Sequence, residues 1–93
     1  MAIGFEWDEP KNRLNRKQHG IWFEEALSVF DDPLGRLFPD GTDAEDRFIL
    51  IGTNQSSQLL VVVHCYRNED SIVRIISARK ATKRERNFYE KRV

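Results

Sequence analysis

Three apolar, β-branched runs in the second half of the chain constrain the fold more than any other feature. They occupy residues 47–52, 59–67 and 72–79, and the polar segments 53–58 and 68–71 separate them. Runs of this length between turn-forming residues are typical of β-strands. Because consecutive strands with short connections pair antiparallel, the pattern predicts an antiparallel β-meander.

A surface helix is predicted before the meander, over about residues 9–18. Asp8 is a suitable N-cap, Pro10 falls in the first turn, where its missing N–H does no harm, and Gly20 follows the last turn. Leu14 is the only strongly apolar residue of this segment. The helix should therefore lie on the surface with a narrow buried stripe.

A second helix, over about residues 23–29, is predicted to belong to the core. The residues at the i, i+3, i+4, i+7 spacing of one helical face are Phe23, Ala26, Leu27 and Phe30. Two aspartates and Pro33 then end the helix.

A third helix is predicted after the last strand. Thr82 can cap it, and Glu85, three positions later, can bond back to the cap. An extended segment at residues 3–7, a short strand at 34–38 and a loop at 39–46 complete the pattern. The predicted class is α+β: an antiparallel meander with two N-terminal helices and one C-terminal helix, packed on one sheet face.

Length and composition indicate one soluble domain, covering residues 1–93. The side chains expected in its core are Phe23, Phe30, Ile51, Val61, Val63 and Ile76. Cys65 is the only cysteine, which excludes an internal disulfide and fits a reducing cytoplasm. No apolar run approaches the roughly 20 residues of a membrane span, and the N-terminus lacks a signal-peptide layout, so we expect a cytoplasmic protein without membrane contact.

Opposite charges are segregated along the chain, although the formal net charge is zero. Residues 1–63 contain 6 Lys and Arg against 11 Asp and Glu, whereas residues 64–93 contain 9 against 4. Such segregation indicates a basic surface with a charged partner.

The basic half concentrates its arginines at the end of the last strand. Arg74 lies on that strand and Arg79 at its carboxyl end, with Lys83 and Arg86 on the first turns of the following helix. Guanidinium groups fixed at the rim of a sheet suit oxyanions, phosphate above all. The sequence therefore predicts a nucleic-acid ligand.

The register of the hairpin between the last two strands decides which side chains share a face. If Arg67 pairs with Ile72, Arg67 and Arg74 lie on one face. The other face then carries His64, Tyr66 and Arg79. If Arg67 instead pairs with Ser71, the residues that share a face are Arg67, Ser77 and Arg79.

Several short motifs, in a fixed order, resemble one known family. The chain carries Phe5-Glu6-Trp7-Asp8, Lys11, Asn15, His19-Gly20, Phe23-Glu24-Glu25-Ala26, Arg67, Arg74-Ile75-Ile76-Ser77-Ala78-Arg79, Ala81, Glu85-Arg86 and Tyr89. In this order they resemble the BrnT toxins of bacterial type II toxin–antitoxin pairs. One departure is Gln18, where the family usually has Lys before the His-Gly pair.

The resemblance implies a RelE-like fold and a cytoplasmic bacterial protein that cleaves RNA and slows translation and growth. It also implies silencing by a BrnA-type ribbon-helix-helix antitoxin. Because that antitoxin dimerises, the silenced complex would be a toxin–antitoxin heterotetramer. DNA would be bound only through the antitoxin, which represses the shared operon.

Arg67 and Arg79 are the candidates for holding the phosphate in RNA cleavage, because fixed guanidinium groups stabilise the charge of a phosphorane. The alternatives are a structural ion pair of Arg79 with Glu85 and a solvated hairpin position for Arg67. The candidates for proton transfer are His64 and Tyr89, with a structural role as the alternative for each. The candidates for contacting RNA elsewhere are Lys11, Arg74, Lys83 and Arg86; for Lys11, the alternative is a solvated helix face.

No metal or cofactor is expected from the residue pattern. The acidic segment 40–46 lacks the spacing of a calcium loop, and no zinc spacing or Gly-rich phosphate loop occurs. Two functions therefore stay open. One is a metal-independent endoribonuclease, and the other is a non-catalytic module that binds nucleic acid or a protein partner.

Overall fold

Within residues 3–41 and 46–91, which the computed structural model describes, five strands form one sheet. They are β1 (Gly4–Glu6), β2 (Arg36–Pro39), β3 (Arg47–Thr53), β4 (Leu59–Arg67) and β5 (Ile72–Lys80). The order across the sheet is β1-β5-β4-β3-β2. Strands β2 to β5 pair antiparallel with their sequence neighbours, so the predicted meander is confirmed. Residues 42–45 of the predicted acidic loop lie outside the described residues.

The N-terminal extended segment contributes a strand that the sequence did not assign to the sheet. β1 pairs in parallel with β5, and Glu6 lies opposite Arg74. The sheet is therefore mixed rather than purely antiparallel. The α+β class, with helices before and after the meander, is confirmed.

Helix α1 (Glu9–His19) has the predicted start and extends one residue further than predicted. Gly20 ends it in the left-handed conformation, with φ of 75°, and its N–H donates to the Arg16 carbonyl. The buried side of α1 differs from the expectation. Leu14 is 50% exposed, whereas two asparagines, Asn12 and Asn15, are buried.

The second helix is shorter than predicted. Helix α2 (Phe23–Ala26) continues as a 3₁₀ turn over Leu27–Asp31. Val29 of this turn packs closely on β3, since a Cβ placed on Gly52 would lie only 3.1 Å from Val29 Cγ1. The 3₁₀ turn therefore lies where the chain comes close to β3.

Helix α3 (Lys83–Glu90) begins with the predicted capping box. The Glu85 N–H donates to Thr82 Oγ1 over 3.2 Å, and the Thr82 N–H donates to Glu85 Oε1 over 2.8 Å. The expectation that all helices pack on one sheet face is wrong. α3 lies on the face opposite to α2, because alternate residues of the central strands are apolar on both faces and each face needs cover.

The core is divided between these two faces. The larger cluster joins α2 and the 3₁₀ turn to one face of the sheet, and the smaller one, built on Ile51, Leu59 and Val61, lies beneath α3. Phe23, Ile51 and Val61 are buried as predicted. Phe30 is half-buried but packs against the larger cluster, in agreement with its predicted place in the core. Val63 and Ile76 are half-buried and belong to neither cluster, so their placement in the core was wrong.

Candidate functional site

A β-bulge at Ile76 brings the arginines of the last two strands onto one face of the sheet. Arg67 pairs with Ile72, which is the first of the two predicted registers. Further along, however, Cys65 pairs with Arg74 and Val63 with Ser77, so β5 contains one extra residue. That residue reverses the alternation of side chains.

The observed faces therefore combine features of both registers. Arg67, Arg74 and Arg79 share a face, which we call the arginine face. The expectation that Arg79 joins His64 when Arg67 pairs with Ile72 is wrong, because it assumed an unbroken alternation along β5.

A buried asparagine side chain holds the strand just beyond this bulge. Asn15 Nδ2 donates to the Ala78 carbonyl over 2.8 Å, and the Ala78 N–H donates to Asn15 Oδ1 over 3.1 Å. The same Nδ2 also donates to the Ile21 carbonyl over 2.8 Å. β1 ends its pairing with β5 at Arg74, so the Asn15 amide takes the place of a missing neighbouring strand next to Arg79.

Glu6 on β1 is shared by two of the arginines. Its Oε2 atom lies 3.1 Å from Arg67 Nε and 2.9 Å from Arg74 Nη1. The Arg67 side chain is 59% exposed. One carboxylate between two guanidinium groups leaves a net positive charge and several free N–H donors, which is a suitable arrangement for a phosphate.

Arg79 is engaged differently, in a bidentate ion pair with Glu85. Arg79 Nη1 and Nη2 lie 2.7 Å from Glu85 Oε1 and Oε2, respectively. The hydrogen bonds from Arg79 hold the pKa of Glu85 at about 2 and raise the pKa of Arg79. The structural ion pair considered as the alternative is thus observed, and a phosphate at Arg79 must share the guanidinium with Glu85 or displace it.

Arg67 and Arg79 do not converge on one phosphate. Arg79 lies opposite Val61, six residues along β4 from Arg67. At a rise of about 3.3 Å per residue, the two strand positions are about 20 Å apart. The arginine face can therefore contact phosphates several nucleotides apart along a strand of nucleic acid, with Arg67 and Arg74 at one end and Arg79 at the other.

His64 lies on the other face, fully buried. Its ring packs edge-on against Phe30, with ring centroids 4.9 Å apart. Its Nε2 lies 3.2 Å from Tyr66 Oη, and its Nδ1 lies 3.3 Å from the Val62 carbonyl oxygen. Burial lowers the pKa of His64 and favours the neutral ring. The structure does not bring His64 together with the arginines, and its position is that of a satisfied core histidine.

Tyr89 attaches the end of α3 to the sheet. Its hydroxyl donates to Asp32 Oδ2 over 2.5 Å, and the same oxygen accepts from the Thr53 N–H over 2.8 Å. Burial opposes ionisation of Asp32, but the hydrogen bonds from Tyr89, Thr53 and Leu34 outweigh it and lower the pKa. The Tyr89 proton is therefore already directed at an ionised carboxylate.

The predicted basic contacts lie on different parts of the surface. Lys83 and Arg86 are exposed on α3, next to the arginine face. Arg86 makes a loose ion pair with Glu90, at 3.8 Å, and Lys83 makes none within residues 3–41 and 46–91. Lys11 is exposed on α1, whose buried residues contact α2 and β5 instead.

Sequence analysis missed the polar residues that position these side chains, namely Glu6, Asn12, Asn15 and Asp32. A detectable signal existed for the asparagines. They are three residues apart on a helix with a single leucine, so they occupy the face on which apolar residues are normally found.

The comparisons with known proteins agree with this architecture. A family model described as ribonuclease toxin, BrnT, of type II toxin–antitoxin system matches residues 7–85. The chain belongs to the BrnT family. The crystal structure of the Brucella abortus ribonuclease toxin BrnT matches this BrnT chain with a TM-score of 0.65 and 26% identity, covering 88% of this chain and 100% of that chain. A comparison with curated proteins gave no match.

Two further properties of the BrnT chain concern membranes and metals. No helix in the described part of the chain is long and apolar enough to cross a membrane. Among the same residues, no three His, Cys, Asp or Glu side chains gather as a metal site.

Proposed function

We propose that this BrnT protein is a toxin that cleaves RNA in the bacterial cytoplasm and thereby arrests translation and growth. The observation that carries the proposal is the arginine face, on which Arg67, Arg74 and Arg79 lie on one side of a bulged sheet. Family membership supports the ribonuclease class.

The proposed reaction needs no metal ion. The 2′-OH of a ribose gives its proton to water as its oxygen bonds to the adjacent phosphorus, the P–O5′ bond breaks, and the departing O5′ takes up a proton from water. The products carry a 2′,3′-cyclic phosphate, or a 3′-phosphate after hydrolysis, and a 5′-hydroxyl. Arg67 and Arg74 at one end of the face, and Arg79 at the other, hold different phosphates of the strand. The end that holds the scissile phosphate stabilises the negative charge that develops on the phosphorane.

His64 and Tyr89 have structural roles in this proposal. His64 is enclosed by aromatic rings on the other face, and Tyr89 donates its proton to Asp32. Lys83 and Arg86 contribute to RNA binding from α3, whereas Lys11, on α1, has at most a peripheral contact.

The test is cleavage of RNA by purified, antitoxin-free protein in excess EDTA. We expect cleavage to persist, and to fall in Arg67→Ala and Arg79→Ala while Arg13→Ala, an exposed arginine on α1, serves as the matched control. Cleavage that vanishes on chelation would contradict the metal-free mechanism.

A non-catalytic binding module is the second candidate. It is favoured by one observation: each arginine of the face already has an acidic partner, Glu6 or Glu85. Expression in bacteria without an antitoxin distinguishes the two functions. Growth arrest that survives the double change Arg67→Ala and Arg79→Ala would favour binding over catalysis.

The partner that we propose is a BrnA-like ribbon-helix-helix antitoxin, which forms a heterotetramer and alone contacts DNA. Its acidic residues would meet Arg74, Lys83 and Arg86, and the attraction would weaken at high salt. Charge reversal at Lys83 and Arg86 should slow association. Unchanged binding of that double variant would show that the antitoxin docks elsewhere.

A further inference from the structure

An apolar groove of about 470 Å³ lies between α3 and the strands β2 and β3. The residues that line it are Phe38, Ile49 and Ile51 on the sheet and Arg84, Glu85 and Phe88 on the helix. The lining residues on the sheet, which we call its floor, are apolar, and the charged ones, Arg84 and Glu85, lie on the helix. The Phe88 side chain remains 45% exposed above the groove.

Polar contacts at both ends hold α3 over this groove. At the start of the helix, Glu85 binds Arg79 and the Thr82 N–H. At its end, Tyr89 donates to Asp32, and the Arg36 guanidinium donates to the carbonyls of Tyr89 and Lys91. No described residue of α3 is fully buried. The helix therefore spans the groove without filling it.

The apolar floor favours protein side chains over a nucleobase. A base carries hydrogen-bonding groups around its edge, and burying them here would leave most of them without partners, at a cost. The Phe88 ring is also partly occupied already, because the Arg36 guanidinium lies 4.8 Å from its centroid and Phe38 packs against its edge.

The basic residues around the groove, which form its rim, favour an acidic occupant. Residues 79–91 contain six Lys and Arg against two Glu. Lys83 and Arg84 make no ion pair within the described part of the chain. A segment with apolar residues on one side and acidic residues on the other matches both the floor and the rim.

We propose that this groove anchors an acidic, amphipathic segment of the antitoxin, which rests on the proposed function for the existence of that partner. Apolar side chains of the segment enter between Phe88 and Ile49, and its carboxylates meet Lys83 and Arg84. Because Glu85 lines the groove and holds Arg79, the bound segment also covers one end of the arginine face. Docking of the antitoxin segment therefore also blocks RNA from this end of the arginine face.

The test is the affinity of the antitoxin, encoded beside the toxin, for purified toxin variants. Phe88→Ala and Ile49→Ser should each weaken binding about tenfold or more, as the loss of a buried interface anchor does. Arg84→Glu should weaken it without disturbing the apolar floor. Leu14→Ala removes an equally exposed apolar side chain from α1 and should bind like the unchanged protein.

RNA cleavage by the free variants separates this inference from the proposed function. We expect Phe88→Ala to cleave RNA at the unchanged rate while escaping the antitoxin. Loss of cleavage in Phe88→Ala with unchanged antitoxin affinity would make the groove an RNA subsite and overturn the inference. Full antitoxin affinity in Phe88→Ala and Arg84→Glu would also overturn it, whereas absence of cleavage by every form would refute only the proposed function.

Discussion

His64 and Arg79 lie on neighbouring strands of one sheet, yet their surroundings have opposite character. On the His64 face, aromatic rings and two N-terminal helices exclude water, and the imidazole is neutral inside the core. On the arginine face, a single short helix leaves Arg67 and part of Arg79 open to solvent. One extra residue, Ile76, decides on which side Arg79 lies.

This contrast shows that the face of the sheet decides whether an ionisable side chain can reach a ligand, whatever its own chemistry. His64 has the chemistry for proton transfer near neutral pH but has no access to a ligand. Arg74 shares the face of Arg67 through the pairing of Arg67 with Ile72, and the bulge brings Arg79 to the same face.

The largest loss of stability should come from removing a buried aromatic ring on the His64 face. Phe23→Ala should lower the free energy of unfolding by about 3–5 kcal/mol, because Phe23 is fully buried. Phe30→Ala should cost less, since Phe30 is half-buried, although it packs on Phe5 and His64. Urea unfolding of the two variants measures the difference. Equal losses would mean that Phe30 is packed in solution as tightly as Phe23.

The second-largest loss of stability is expected at Asn15, which connects α1 to β5. Asn15→Ala leaves the Ala78 N–H and two buried carbonyls without this partner, and we expect a loss of about 1–3 kcal/mol in total, because water that enters the vacated space can bond to part of these groups. Asn15→Asp keeps an acceptor for the Ala78 N–H but places a buried carboxylate against two carbonyl oxygens, so it should cost at least as much as Asn15→Ala. Asn12→Ala removes the other buried asparagine of α1, whose hydrogen bonds join Glu9, Glu24 and Phe23 rather than β5.

If Asn15 acts on RNA cleavage by positioning Arg79, a double-mutant cycle will show it. Asn15→Ala should lower the cleavage rate in the otherwise unchanged protein but hardly at all in Arg79→Ala. Equal, additive losses in both backgrounds would give Asn15 a role in stability only. This cycle depends on the proposed function, whereas the unfolding measurement does not.

The sequence predicted features that depend on neighbouring residues and missed features that depend on the rest of the fold. The three meander strands and the capping box at Thr82 and Glu85 depend on neighbours within a few residues, and both were predicted. The bulge at Ile76 was not, because the run Ile72–Lys80 contains apolar residues at both parities and no glycine that marks the extra position.

Contacts between distant parts of the chain were the other omission. Asn15 and Ala78 are 63 residues apart in sequence, and Asp32 and Tyr89 are 57 apart. Nothing in the local pattern of either segment indicates its partner. The candidate residues Arg67, Arg74 and Arg79 could therefore be named from the sequence, but their common face could not.

A smaller effect, on pH dependence, distinguishes the buried histidine from a catalytic one. Because burial lowers the pKa of His64, the unfolded chain takes up a proton that the folded protein excludes once the pH falls below about 6.5. Stability should therefore be fully present above that pH and decline below it. His64→Gln should remove part of this decline.

RNA cleavage gives the second half of that test. His64→Gln should cleave RNA with the same pH profile as the unchanged protein at a temperature where both are folded. If His64→Gln is folded by circular dichroism but inactive, His64 belongs to the catalytic machinery and the comparison of the two faces fails.

The smallest effect is expected at the hairpin that carries Arg67. Asn68, Glu69 and Asp70 all have left-handed backbone conformations, with φ of 54°, 56° and 69°. A side chain at such a position is strained, whereas glycine is not, so Glu69→Gly should gain about 0.5–1 kcal/mol of stability after its entropic cost. Glu69→Ala keeps a Cβ and should gain nothing by this mechanism. If Glu69→Gly is stabilised but cleaves RNA more slowly, the strained turn is what holds Arg67 on the open face; unchanged cleavage would assign that task to the ion pair with Glu6.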